Sequence, residues 1–202
     1  MGWNMEQTVI RQGMALDEYI RRMDDDREPP FEIIDGEIVL MSPSTYGSDH
    51  MAWVFIQVLN PFVVANRLGY LSLETTFVLP NTDSSSWVTG SRKPDVMFIV
   101  AERLSAYKLA TPDWEDRPLA LVPDLVIEVI SPTDRMDAVL QKVARYLADG
   151  VQIVWVANRK HQSITVYTLT NEPVVLSGDQ TLSGGEIIPD FTIPVRAIFE
   201  YK

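Results

Sequence analysis

The sequence predicts a mixed α/β (α+β) fold, a mixed sheet flanked by helices, with an added N-terminal helix and β-hairpin. Three observations carry this. Short apolar, β-branched runs recur between Phe31 and Leu169 and read as strands. Two longer segments, Ser44 to Arg67 and Thr133 to Ala148, have helical length and spacing. The strands are also grouped too closely for a regular alternation of strand and helix.

In order along the chain, Met14 to Met23 carries Leu16, Tyr19, Ile20 and Met23 at helical spacing, which gives a short amphipathic helix. The polar stretch Asp24 to Pro30 separates it from Phe31–Ile34 and Glu37–Met41. These two runs flank Asp35-Gly36, a dipeptide suited to a two-residue hairpin turn. Ser44 or Thr45 can cap the long helix that follows, and Pro61 is expected to kink or split it. Strands are expected at Tyr70–Leu73, Thr76–Leu79, Asp95–Val100 and Leu125–Ile130, with a polar loop at Asn81 to Ser86. The connection from Ala101 to Pro123 reads as a long functional or mobile loop. Met136, Val139, Leu140, Val143 and Leu147 form the stripe of the second long helix, which Gly150 stops. Two further strands, Val151–Ala157 and Ser163–Leu169, and a short helix at Val195–Phe199 complete the reading. Trp53 and Trp155 fit core positions, whereas Trp87 and Trp114 fall in loops.

Composition narrows the chemistry. The 202 residues include 17 basic and 28 acidic side chains, for a net charge of −11, and no cysteine. That excludes disulfides, thiolate nucleophiles and cysteine-ligated metals. With only His50 and His161, no site can use three imidazoles. The longest uncharged run, between Asp49 and Arg67, is interrupted by polar residues and is shorter than the ~20 residues of a membrane span. A soluble cytoplasmic setting is therefore expected. The acidic balance argues against coating nucleic acid by bulk charge but leaves room for a local groove.

Two carboxylates stand in unfavourable places. Glu128 lies inside Leu125-Val126-Ile127-Glu128-Val129-Ile130, where an ionised group is costly unless a cation or strong donors meet it. Asp95 opens the apolar run Val96 to Val100. Singly, Asp95 reads as a turn residue and Glu128 as half of an ion pair with Lys142 or Arg145. On antiparallel neighbours, however, the start of one strand faces the end of the other, and the two carboxylates would sit about 5 Å apart. A hard divalent ion, Mg²⁺ or Mn²⁺, would relieve their repulsion.

The order of motifs strengthens this reading. Asp35-Gly36-Glu37 is followed by Ser42-Pro43 with His50. Pro94-Asp95 and the run from Pro123 to Pro132 come next, then Lys142 with Tyr146, and Gly150-Val151 before Trp155. The chain thereby resembles the PD-(D/E)XK nuclease superfamily and, within it, the bacterial Uma-two-like restriction endonuclease family. The resemblance runs from about residue 14 to the C-terminus. It implies a restriction-endonuclease-like fold in one domain spanning 1–202, with 1–30 as a helical extension and 31–202 as the core. The strand position that carries lysine in the superfamily is Ile130 here, and the matching lysine is Lys142 on the following helix.

The resemblance further implies metal-dependent hydrolysis of DNA by a homodimer. Asp95, Glu128 and the Val129 carbonyl would hold Mg²⁺ (Mn²⁺ substituting), with Asp95, Glu128 and Lys142 catalytic. Glu37, His50 and Gln141 are supporting candidates: Glu37 as a further acid near the metal, His50 as a phosphate or ligand contact, Gln141 through its place beside Lys142. The plainer readings are ordinary packing for His50 and a solvated helix residue for Gln141. Two other functions remain open at this stage: a catalytically weak nuclease-fold binding module, and a phosphohydrolase acting on RNA or nucleotides.

Overall fold

The computed structural model describes residues 13–80, 86–131 and 134–201. Trp3, most of the polar loop at residues 81–85 and the helix start expected at Thr133 lie outside the described residues. The N-terminal part comprises β1 (Met14–Ala15), α1 (Leu16–Met23), β2 (Phe31–Ile34) and β3 (Glu37–Leu40). Asp35 and Gly36 have φ of 52° and 82°, the pair of left-handed residues that a tight hairpin between β2 and β3 requires. The long helix α2 (Tyr46–Asn66) begins at Thr45, whose side chain accepts from the Ser48 N–H. It runs unbroken through Pro61, so the expected split does not occur.

The next strands are β4 (Gly69–Leu73), β5 (Phe77–Val78), β6 (Trp87–Val88), β7 (Ser91–Arg92) and β8 (Val96–Val100). Directly after β8, α3 (Ala101–Ala110) occupies much of the connection expected to be a loop. It buries no residue completely, so it lacks the apolar stripe that would reveal it. Then come β9 (Leu125–Ile130), α4 (Met136–Asp149), β10 (Ile153–Asn158) and β11 (Ser163–Thr168). The chain finishes with β12 (Val174–Ser177), β13 (Thr181–Ser183), β14 (Thr192–Pro194) and α5 (Val195–Phe199).

The main sheet has six strands in the order β12-β11-β10-β9-β8-β4. β9 and β10 are parallel, joined across α4, while β8 runs antiparallel to β9 and β4 antiparallel to β8. The alternation along β9 divides the molecule into two layers. Leu125, Ile127 and Val129 face α2, packing with Phe55, Leu59 and Trp155. Val126 faces α4, packing with Val143, Tyr146, Val154 and Val156. Glu128 shares the α4 face by the two-residue period of a strand.

A buried ion pair ties the hairpin to the end of α4. The Arg92 guanidinium lies 2.9 Å from the Asp149 carboxylate at the end of α4 and donates to the Ile33 carbonyl at 2.8 Å. Replacing Arg92 by Met leaves the Asp149 carboxylate and the Ile33 carbonyl without this donor. We expect a loss of ~3–5 kcal/mol in urea unfolding, and a smaller loss when Asp149→Leu is added to Arg92→Met.

Candidate active site

The site begins with strand register. In the β8–β9 ladder Val96 pairs with Ile127, Met97 with Val126 and Phe98 with Leu125. One step further along the same register sets Asp95 opposite Glu128, on one face of the sheet. The Val129 N–H donates to Asp95 Oδ2 at 2.6 Å, extending the contact between the two strands through a side chain. Because N–H and C=O of one strand residue point the same way, the Val129 carbonyl projects to this side as well, past the start of β8.

The helix α4 completes the group. Lys142 and Tyr146 are four residues apart, one turn along the face that packs on β9 and β10. Lys142 Nζ lies 2.8 Å from Glu128 Oε2, and the Tyr146 hydroxyl donates to Glu128 Oε1 at 2.6 Å. Both oxygens of the buried carboxylate therefore have a strong donor. Burial still pushes the Glu128 pKa up to about 7; Asp95 adds to the rise, while Lys142 and Tyr146 oppose it. Burial also raises Asp95, against the pull of Lys142 and the Val129 N–H. Burial pulls the Lys142 ammonium down, yet Glu128, Glu32 and Asp95 outweigh it and the net direction is up. Lys142 is thus a charged ammonium at neutral pH. Tyr146 is raised by burial and by the same acids, so it stays a donor.

The supporting residues fall differently. Glu37 lies exposed on β3, on the hairpin face that carries Glu32 but beside the turn, where it pairs with Ile34. Glu32 is the acid that reaches inward: it is buried, accepts the Lys93 N–H at 2.8 Å and acts electrostatically on Lys142 and Tyr146. In sequence Glu32 alternates with Phe31 and Ile33 and so reads as solvent-facing. Its burial is local, where the segment at Lys93 covers it, while Val39 and Glu37 on the same face stay exposed. His50 is exposed on α2, on the opposite side of the sheet from Glu128, and its ring stacks between Tyr46 and Trp53. Gln141 is exposed on α4, turned about 100° from Lys142. None of Glu37, His50 and Gln141 makes a hydrogen bond to Asp95 or Glu128 among the described residues.

The second Pro-Asp pair of the sequence has another task. Asp124 is buried and accepts from Arg103 at 2.6 Å, Gln152 at 3.0 Å and the Val100 N–H at 2.9 Å, locking the opposite end of β8 and β9.

The donor set suits a hard divalent cation. Asp95 has Oδ1 free of hydrogen bonds among the described residues, Glu128 faces it, and the Val129 carbonyl lies on the same side: three oxygen donors from two adjacent strands. No group of three or more acids or histidines converges among the described residues, so Glu32 neighbours the lysine rather than supplying a third carboxylate ligand.

A family model described as "Putative restriction endonuclease", Uma2, matches residues 16–196. The chain belongs to the Uma2 family. No curated protein matches it. Among solved structures, the chain is similar to a "putative nuclease belonging to DUF820" from Anabaena variabilis, with a TM-score of 0.71 and 21% identity over 92% of this chain and 97% of that one. That likeness shows the restriction-endonuclease-like fold, and the Uma2 description makes this a nuclease family. No helix among the described residues is long and apolar enough to cross a membrane.

The raised Glu128 carboxyl has a measurable consequence. With a folded pKa near 7 against an ordinary 4.5, the metal-free folded state holds a proton that the unfolded chain has already lost between those values. Stability of chelator-treated protein should therefore fall as pH rises from 5 to 7. Thermal unfolding of wild type and Glu128→Gln across that window checks it: the curves should diverge, and parallel curves would refute the raised pKa.

Proposed function

We propose that the chain is a metal-dependent endonuclease that hydrolyses phosphodiester bonds of DNA, with Mg²⁺ or Mn²⁺ held by Asp95, Glu128 and the Val129 carbonyl. The observation that carries this reading is a pair of facing carboxylates across an antiparallel ladder, with an ammonium 2.8 Å from one of them. Membership of a nuclease family supports it. A divalent ion bound there would polarise the scissile phosphate and lower the pKa of a bound water.

The chain's own groups have separable tasks. The Val129 N–H fixes one oxygen of Asp95 and leaves the other for binding. Tyr146 holds Glu128 by its Oε1 and, being fully buried, keeps water from that side. Lys142 stays positive and presents its remaining N–H groups to a phosphate oxygen or to the incoming water, where negative charge develops. The net charge of −11 limits the affinity, so DNA binding should be weak and steeply salt-dependent.

A panel of duplex DNA, single strands, RNA and nucleotides, assayed with Mg²⁺ and with chelator, tests the reading. Glu128→Gln and Asp95→Asn should each lower DNA cleavage by ~10²-fold or more; variants as active as wild type would overturn it. Cleavage of RNA or nucleotides alone would mark a phosphohydrolase. One observation favours a non-catalytic binding module instead: both Glu128 oxygens are occupied from within the chain, as a purely structural pair would require. Lys142→Met separates the two. Loss of metal-dependent cleavage with the fold intact supports catalysis. A silent wild type, with Lys142→Met merely changing stability, supports the binding module.

A further inference from the structure

The first turns of α2 carry an unusual surface. Tyr46, His50 and Trp53 follow one another up the helix, with ring centroids 6.1 and 6.0 Å apart and interplanar angles of 9° and 18°. Tyr46 is 85% exposed and Trp53 43%, so Trp53 is not the core residue the sequence suggested. Three nearly parallel rings, one per helical turn, thus form an exposed stack, with the His50 ring between those of Tyr46 and Trp53. Tyr201 braces Trp53 edge-on at 6.2 Å.

Cations flank this ladder. The turn after β10 carries Arg159 and Lys160, both exposed and without a carboxylate partner among the described residues. Elsewhere Arg27, Lys93, Arg117 and Arg196 each hold a carboxylate. Arg21, Arg67 and Arg145 likewise make no ion pair among the described residues, but Arg159 and Lys160 are adjacent in sequence and lie beside the ring ladder. Arg159 rests directly on the start of α2, where a Cβ on Gly47 would fall 2.1 Å from its Nη1. Between this turn, α2 and α5 lies a shallow cavity of about 230 Å³ that His50, Arg159 and Tyr201 help to line.

The ladder lies at the same end of the sheet as Asp95 and Glu128. β9 and β10 are parallel, with Glu128 beside Val156 and Ile130 beside Asn158. Arg159 therefore follows the strand end at which Glu128 lies. The carboxylates occupy the α4 face and the ladder the α2 face, at the same end of the sheet.

We propose that the Tyr46–His50–Trp53 ladder with Arg159 and Lys160 is a binding track for single-stranded nucleic acid with unpaired bases, leading over the sheet end to Asp95 and Glu128. Aromatic faces accept any base by stacking, and cations beside them take the phosphates. A duplex buries its base faces in its own stack and cannot use such a ladder. The inference rests on the nuclease reading for the class of ligand, but its test does not depend on cleavage.

Anisotropy of labelled oligo-dT, oligo-U and a duplex of equal length, with the full chain in chelator, reads binding without turnover. The single strands should bind more tightly than the duplex and quench tryptophan emission, and Trp53→Phe should remove that quenching. Tyr46→Ala and Arg159→Ala should weaken binding about tenfold, with circular dichroism unchanged. Equal binding of oligo-dT and oligo-U supports stacking without sugar readout, and a preference for one names the natural strand. Wild-type affinity in both variants, or stronger binding of the duplex, would overturn the proposal. So would sedimentation showing that Tyr46→Ala abolishes self-association, which would make the ladder a contact between copies. Binding without any cleavage refutes the nuclease reading alone. Cleavage with unchanged binding in both variants refutes the track alone.

Discussion

A carboxylate in the middle of an apolar strand is the constraint around which this molecule is arranged. Glu128 lies between Ile127 and Val129 in the central strand, with β8 on one side and β10 on the other. An isolated charge there would be costly enough to force neutralisation. The chain instead brings a lysine and a tyrosine to it from the crossover helix, one donor per oxygen. Those two side chains fix how α4 is rotated about its axis and how far along β9 it sits. The packing of Val143 and Tyr146 against Val126, Val154 and Val156 follows from that placement as much as it causes it.

The same dipeptide, Pro-Asp, opens both β8 and β9 yet does opposite things. Asp124 is saturated by Arg103, Gln152 and a backbone N–H, so it closes one end of the strand pair. Asp95 receives a single backbone donor and is left underused. Proline supplies the same local backbone restriction in both cases. The difference comes from what the fold brings opposite: a salt-bridging helix start at one end, a second acid at the other. Chemical availability here is a property of unfilled lone pairs rather than of residue type.

Much of this was legible in the sequence, for physical reasons that particular residues show. Asp35-Gly36 announced its hairpin because few dipeptides tolerate positive φ at both positions. Asp95 and Glu128 stood out because charge interrupts an apolar strand at those places, whereas Lys142 lies off the apolar stripe of its helix and was reached through the family resemblance. Glu32 was hidden because period-two alternation says which face a residue is on, not whether another segment later covers that one position. Helix α3 was hidden because it fully buries none of its residues. The strands β12 to β14 were missed because they are short and largely exposed. Trp53 was misassigned because a large indole in an uncharged helix suggests a core, and only the packing reveals that its face is turned outward.

The placing of Lys142 on a helix, with Ile130 on the strand, has a consequence for how such a chain can change. Position 130, relieved of a charge, is an isoleucine half-sunk in the α4 layer. The ammonium instead depends on helical phase: inserting one residue between Val139 and Lys142 would swing the lysine by about 100° and carry Tyr146 with it. The segment ahead of α4 is not bound by that rule, because extra length there leaves the phase between Lys142 and Tyr146 intact. Divergence in such a lineage should therefore accumulate as insertions before the helix and as substitutions on its outer side, whereas deletions within it would unseat core and chemistry in one step.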